Sequence, residues 1–181
     1  GPDIDLGQFE KTPGPRDYPA GLASLSAEEA GLVLEAGVDV SEKERLGTFL
    51  QMDHSVIHAA SNKEGLEVMS ITEALEKYDW LARDYYWKAL GVDSDKYTAY
   101  AQLNPYHGYF IRALPGAEAS FPIQACLFLK SSNLIQSLHN IIIAEEGSKL
   151  QIITGCATES VGGNGLHIGI SEFYVKKNAQ L

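Results

Sequence analysis

The sequence predicts a mainly β protein with a helical N-terminal part, in which stacked parallel strands form a β-solenoid. Residues 1–100 account for the whole net charge of −10, with 9 Lys and Arg against 19 Asp and Glu, whereas residues 101–181 carry 5 of each. After Pro105 the sequence changes to β-branched and aromatic runs separated by glycine-containing turns. We therefore assign residues 1–104 to an N-terminal arm and helical region, and residues 105–181 to the first rungs of the solenoid.

Helix signals are concentrated in the first hundred residues. The proline and glycine content of residues 1–25 predicts an extended arm. Ser-x-x-Glu capping boxes follow at Ser26, Ser41 and Ser70. These boxes, a later Asp and the apolar spacing predict helices over Ala27–Ala36, Ile71–Ala89 and Asp95–Leu103. The second box is assigned no helix, because the alternation in Phe49–Ile57 predicts an extended segment.

A repeat of 31 residues runs through the β region. Its three copies are Phe110–Ala119, Ile141–Leu150 and Glu172–Leu181. The turn position of the copies falls on Gly116, Gly147 and Asn178, and both Gly and Asn tolerate a positive φ. A fixed period of strand, corner and strand predicts a solenoid whose units stack into parallel sheets. A jelly roll, which also places turns regularly, is the alternative.

The sequence stops at Leu181, just after the third corner, and no capping helix follows. A solenoid must cap its last rung or pair it with something, because an open apolar end promotes aggregation. We therefore expect a truncated solenoid, either a fragment of a longer protein or one half of an assembly. The isolated chain is expected to dimerise or aggregate.

Composition and charge exclude several classes of function. The pI near 4.9 argues against nucleic-acid binding, because phosphate neutralisation requires a basic face. The longest uncharged stretch, Ser131–Ala144, is interrupted by polar residues, so no membrane span is predicted. The N-terminal sequence GPDIDLGQFEK does not have the pattern of a signal peptide, and two cysteines do not make a disulfide framework. We expect a cytoplasmic protein with reduced thiols.

The two cysteines are the main candidates for chemistry. Cys126 and Cys156 lie 30 residues apart, one less than the repeat, and neighbouring rungs of a solenoid are about 5 Å apart. Two adjacent thiols can hold a soft metal, an iron–sulfur cluster or a persulfide. Alternatively, both are small core hydrophobes. The one-residue offset leaves this open, because it corresponds to a bulge or turns the thiols to opposite faces. His139 and His167 share a small-Leu-His pattern that can place them on one edge as further ligands.

Two other features exclude functions. The glycine-rich run Val161–Gly165 lacks the strand, helix and lysine of a phosphate loop, so we expect no ATP binding by this chain. The β region contains no paired carboxylates, which argues against a polysaccharide-cleaving solenoid enzyme.

Three stretches of the sequence carry a family resemblance. They are SITEALEKYDWLARDYYWKALGVDSDKYTAYAQLNPYHGYFIRALPGAEA, LHNIIIAEEGSKLQIITGCATE and GLHIGISEFYVKKNAQL. Over about residues 49–181 the chain resembles the SufB/SufD family of iron–sulfur cluster assembly scaffolds, and most of all its short archaeal SufB-like branch. The most specific parts are AEEGSKLQIITGC and GLHIGISEFYV. Family members are built on a right-handed parallel β-helix, so the resemblance implies that fold here.

The resemblance also implies a site and partners. Cys156 matches the family's cysteine in a Glu-Gly-Cys-Thr segment that receives sulfur, although Thr154 stands where the bacterial branch has glutamate. The predicted ligands of a transient iron–sulfur cluster are Cys156, Cys126, His167 and Glu159. We expect the pKa of Cys156 to lie below its free value, with His167 favouring the thiolate, and Cys126 to contribute if it faces the same way. The implied partners are a SufC-type ABC ATPase, a SufB/SufD-like protein or a second copy, and acceptor apoproteins.

Three functions follow from these observations. The first is a scaffold that receives sulfur and iron, holds a nascent cluster for transfer and has no turnover chemistry of its own. The second is a structural solenoid module that mediates assembly and has inert cysteines. The third, a solenoid enzyme, is disfavoured by the lack of paired acids.

Overall fold

The structure, a computed structural model, describes residues 3–9, 18–105, 107–159 and 164–181. In these ranges the α-helices are α1 (Ala27–Glu35), α2 (Ile71–Lys77), α3 (Asp79–Asp84) and α4 (Lys96–Leu103), and short 3₁₀-helices cover Leu6–Gln8 and Leu22–Ser24. The strands are β1 (Gly47–Met52), β2 (Ser55–Ser61), β3 (Leu66–Ser70), β4 (Tyr109–Ala113), β5 (Ile123–Leu129), β6 (Ile135–Ala144), β7 (Ile152–Thr158) and β8 (Leu166–Val175). Of the helices described, none has both the length and the apolar character that a membrane span requires.

The strands pair into two mixed sheets of four strands each, in the orders β2-β1-β5-β7 and β3-β4-β6-β8. The pairs β1/β2 and β3/β4 are antiparallel, and the other pairs are parallel. The fold is therefore an α/β arrangement of two separate sheets. The predicted right-handed parallel β-helix is wrong, and so is the jelly roll, which is an antiparallel architecture.

Residues 47–70 account for this difference. The 31-residue repeat covers only the sequence after Pro105, whereas β1, β2 and β3 precede it. β1 turns directly into β2 through Asp53, which adopts a φ of 49°, and such a tight turn suits an antiparallel pair. The extended segment predicted over Phe49–Ile57 is confirmed, but it belongs to a sheet and gives that sheet an antiparallel edge.

The repeat itself is the register of the second sheet. Phe110 pairs with Ile141, and Ile141 pairs with Glu172, in parallel. The corner residues Gly116, Gly147 and Asn178 adopt φ values of 72°, 71° and 59°. The parallel pairing of these segments and their shared corner are therefore as predicted, although the fold class is not.

Two predicted helices are confirmed and one is divided. α1 begins at the Ser26 capping box, and α4 begins at a second box formed by Asp95. The helix predicted over Ile71–Ala89 breaks at Tyr78, whose φ of −126° and ψ of 96° are extended. It does not resume as far as Ala89, because Trp87 adopts a φ of 57°, outside the helical region.

The central core lies between the two sheets. Phe49 and Ile123 of the first sheet meet Ile111 and Ile142 of the second there, and all four are fully buried. Burial of each such side chain contributes roughly 1.5–3 kcal/mol. The first sheet packs its outer face on α1, and the second packs its outer face on α2 and α3. Toward β7 and β8 the residues facing the inter-sheet space become polar.

Candidate functional site

Cys156 lies on β7, an edge strand of the first sheet, and it is exposed. It pairs with Leu127, a residue of the central core, so its thiol faces the space between the sheets. The preceding residue, Gly155, faces α1, and a Cβ at that position would lie 1.9 Å from the carbonyl oxygen of Ala36. Because this residue is glycine, the end of α1 can pack directly against β7 and hold the strand that carries the thiol.

The partner of Cys156 comes from the other sheet. His167 on β8 places its Nε2 atom 3.3 Å from the Cys156 Sγ atom. Its Nδ1 atom lies 2.9 Å from Oε1 of Gln136, the residue beside it in β6. The structure thus brings together two of the four predicted site residues, and the contact joins the edge strands of the two sheets.

The other two predicted site residues lie elsewhere. Cys126 pairs with Gly155, and its fully buried side chain belongs to the outer cluster beneath α1. It therefore does not face the same way as Cys156, which was the condition for its predicted role. The carboxylate of Glu159 lies 3.8 Å from Nζ of Lys130. Across residues 3–9, 18–105, 107–159 and 164–181, no three His, Cys, Asp or Glu side chains are grouped for a metal ion.

Burial controls the protonation of both members of the pair. It raises the pKa of Cys156 and lowers the pKa of His167, because a poorly solvated site disfavours the charged forms. The expected lowering of the Cys156 pKa is therefore wrong. At neutral pH a thiol faces a neutral imidazole. Burial also raises the pKa of Cys126, to about 12, so that thiol is both protonated and inaccessible.

A cavity of about 370 Å³ adjoins the Cys156–His167 pair. Polar side chains of Tyr109, Asn140 and Ser171 line it. Burial raises the pKa of Tyr109 to about 12, so its hydroxyl remains a hydrogen-bond donor at neutral pH. A second cavity of about 250 Å³ shares Cys156 and His167 and is otherwise lined mainly by apolar side chains. The thiol is thus exposed and adjoins a small polar chamber.

Several features of the site were not predictable from spacing alone. Gln136 could have been found, because it precedes His167 by 31 residues, the length of the repeat. His139, predicted to share an edge with His167, instead bonds Glu172 at 2.8 Å in a buried position. The glycine-rich run after Cys156 lies largely outside the described residues, at 160–163.

Comparison with known proteins gives similarities to iron–sulfur cluster assembly proteins. Residues 127–181 match the family model for the SUF system FeS cluster assembly, SufBD core domain. A SufBD family protein of Methanothermobacter thermautotrophicus (strain Winter) is 45% identical over 193 residues, covering 100% of this chain and 45% of the relative. One from Archaeoglobus fulgidus is 52% identical over 147 residues, covering 81% of this chain and 39% of the relative. The assembly protein SufB of Bacillus subtilis is 26% identical over 147 residues, covering 78% and 31%. The chain spans less than half the length of these relatives.

Proposed function

Since the chain belongs to the SufBD family of iron–sulfur cluster assembly proteins, we propose that it is an assembly scaffold in which Cys156 accepts sulfur for a nascent cluster. One observation carries the choice of residue: an exposed thiol lies 3.3 Å from an imidazole nitrogen. We assign no turnover chemistry to the chain, so it acts as a scaffold and not as an enzyme.

The proposed step is transfer of sulfane sulfur from a donor persulfide. His167 Nε2 takes the proton of the Cys156 thiol, and the resulting thiolate attacks the outer sulfur of the donor. A new S–S bond forms at Cys156, the S–S bond of the donor breaks, and the donor leaves as a thiolate that receives the proton from imidazolium. The transfer is isoelectronic, so it needs no oxidant or reductant.

A neutral thiol–imidazole pair suits this step. The thiol stays protonated until a donor arrives, because burial raises its pKa, and His167 stays available as a base, because burial lowers its pKa. The cavity beside the pair offers donors from Tyr109, Asn140 and Ser171 to a persulfide anion. Conversion of the held sulfur to sulfide takes two electrons, which we assign to an external dithiol or reduced flavin.

Iron is then a substrate of the scaffold. Thiolate sulfur and imidazole nitrogen are ligands that iron accepts, so Cys156 and His167 are two ligands that this chain offers. Further ligands come from other parts of the assembly, in which we include a SufC-type ATPase, a SufB/SufD-like partner or second copy, and acceptor apoproteins. Free thiols suit a cytoplasmic setting.

The alternative is a structural assembly module with inert cysteines. Cys126 fits that description, since it is fully buried among apolar side chains. Cys156 does not, since it is exposed beside an imidazole and a polar cavity.

Anaerobic reconstitution with iron and sulfide separates the two functions. We expect visible absorbance from a bound cluster in the wild type, its loss in Cys156→Ser, and its retention in the matched control Cys126→Ala. Equal absorbance in all three proteins, or loss only in the Cys126 variant, would contradict the proposal.

A further inference from the structure

We propose that Gln136 is a positioning residue that fixes His167 as the tautomer protonated at Nδ1 and thereby directs the Nε2 lone pair at the Cys156 thiol. The chemical role of this arrangement rests on the proposed function, whereas the tautomer itself does not.

The orientation of the Gln136 amide follows from its surroundings. Gln136 is fully buried. Its Nε2 group donates to the backbone carbonyl oxygens of Asp53, at 2.8 Å, and Phe128, at 3.2 Å. Both carbonyls can only accept, so the amide nitrogen must face them. The reverse orientation would place Oε1 against two acceptors and leave a buried amide unsatisfied. Oε1 of Gln136 therefore faces His167.

The tautomer of His167 follows in turn. Oε1 of Gln136 lies 2.9 Å from Nδ1 of His167 and can only accept, so Nδ1 carries the hydrogen. A neutral imidazole has one N–H group, which leaves a lone pair on Nε2. That atom is the one 3.3 Å from the Cys156 Sγ atom, so the thiol donates to it. The imidazole is set to receive the thiol proton, and the same nitrogen is free to bind a metal ion.

The carbonyls that orient Gln136 are themselves held in place. The backbone N–H of Asp53 donates to the Phe128 carbonyl at 2.8 Å, which joins the two acceptors. The Asp53 carboxylate accepts Ser131 Oγ at 2.6 Å and the backbone N–H of Lys130 at 2.8 Å. The β1–β2 turn is thus fixed against the end of β5. A chain of contacts runs from this turn through Gln136 to the thiol, and none of its members was selected by the sequence as functional except the last two.

A glutamine that only stabilises the fold would leave the tautomer of His167 unchanged when replaced. The test therefore compares Gln136→Met, which keeps an unbranched side chain but removes the acceptor, with Gln51→Met. Gln51 is also fully buried, and its Nε2 donates to the same Asp53 carbonyl at 3.0 Å, while its Oε1 accepts from the Gly108 backbone and not from His167. Both proteins are labelled with ¹⁵N-histidine, and long-range ¹H–¹⁵N spectra assign the protonated nitrogen.

We expect His167 to be protonated at Nδ1 in the wild type and in Gln51→Met, and to become a tautomer mixture in Gln136→Met. The iodoacetamide alkylation rate of Cys156 at one neutral pH, in a Cys126→Ala background, should fall about fivefold to tenfold in Gln136→Met, the equivalent of one hydrogen bond. An Nε2-protonated His167 in the wild type overturns the inference even if the variant fails to fold. An unchanged tautomer in a folded Gln136→Met protein overturns it as well.

These measurements use no sulfur donor, iron or sulfide, so they are independent of the reconstitution result. If the tautomer shifts as expected while Cys156→Ser still assembles a cluster, the positioning role of Gln136 stands and the proposed function fails. If Gln136→Met leaves the tautomer unchanged while Cys156→Ser abolishes assembly, the positioning role fails and the proposed function stands.

Discussion

Replacement of Glu172 by glutamine tests how the second sheet holds the segment that follows α3. Glu172 is buried on β8, and its carboxylate lies 2.8 Å from His139 Nε2 and accepts the Tyr174 hydroxyl at 2.9 Å. It also accepts the backbone N–H groups of Trp87, Lys88, Ala89 and Leu90. A neutral amide of the same shape cannot accept all of these donors with both heavy atoms, so Glu172→Gln should destabilise the fold.

The magnitude follows from the acidity of the group. Burial alone would raise the pKa of Glu172, but hydrogen bonds from His139, Tyr174 and the backbone outweigh it and lower the pKa to about 2, from an ordinary value of 4.5. Each pKa unit corresponds to about 1.4 kcal/mol, so the charged form stabilises the folded state by about 3 kcal/mol at neutral pH. Because the folded pKa is the lower one, this stability is present above about pH 4.5 and is lost as the pH falls toward 2.

Urea unfolding at several pH values measures the effect. We expect Glu172→Gln to lower the free energy of unfolding by about 3 kcal/mol at pH 7, and the gap to the wild type to narrow as the pH falls below 4. Glu118→Gln is the matched control, since Glu118 forms an exposed ion pair with Lys149 at 2.8 Å and should matter little. A gap at pH 7 no larger than that of the control, or one that is independent of pH, would refute the reasoning.

Three further predictions follow from the packing of β7 and β8. Gly155→Ala should lower the free energy of unfolding by about 1–3 kcal/mol in urea titrations, because its Cβ would lie 1.9 Å from the Ala36 carbonyl oxygen; an unchanged midpoint would show that α1 is not seated on β7. Cys156 should be alkylated in the native protein, faster as the pH rises, while Cys126 reacts only after unfolding; preferential native labelling of Cys126 would reverse the assignment. The exposed apolar side chains of edge strand β8 predict self-association of the isolated chain, and a monomer by light scattering at all salt concentrations would count against it.

The features that the sequence predicted correctly are local ones. The Ser26 cap and the extended Phe49–Ile57 segment depend on residues close in sequence, so pattern is enough to identify them. The positive φ at Asn178 and at the two equivalent glycines also reflects local backbone preference. The parallel register of the second sheet was accessible because its copies keep one spacing.

The fold class was mispredicted because it depends on how strands pair over long range. The antiparallel edges come from β1, β2 and β3, which lie outside the repeat and carry no trace of it. The helix expected to reach Ala89 stops early because a carboxylate on β8, more than 80 residues later, accepts the backbone donors of that segment. Helical spacing of apolar residues contains no information about such a partner.

The orientation of Cys126 shows how one residue of register decides a site. In the first sheet the parallel register is 29 residues, so Cys126 lies opposite Gly155. The 30-residue separation of the two cysteines therefore turns them to opposite faces, because successive strand residues alternate. A register of 30 would have placed both thiols together. His167 was identified correctly as a neighbour of Cys156, but the direction of the pKa shifts depends on burial, which the sequence does not specify.

The central claim, that Cys156 accepts sulfur with His167 as its base, is tested most directly by mapping persulfides on the protein. The chain is incubated anaerobically with a small-molecule persulfide donor, alkylated, digested and examined by mass spectrometry. We predict one added sulfur atom on the peptide that contains Cys156, slower addition in His167→Gln, and none on the peptide that contains Cys126. Absence of added sulfur on Cys156 in folded protein, or its accumulation on Cys126 instead, would contradict the claim.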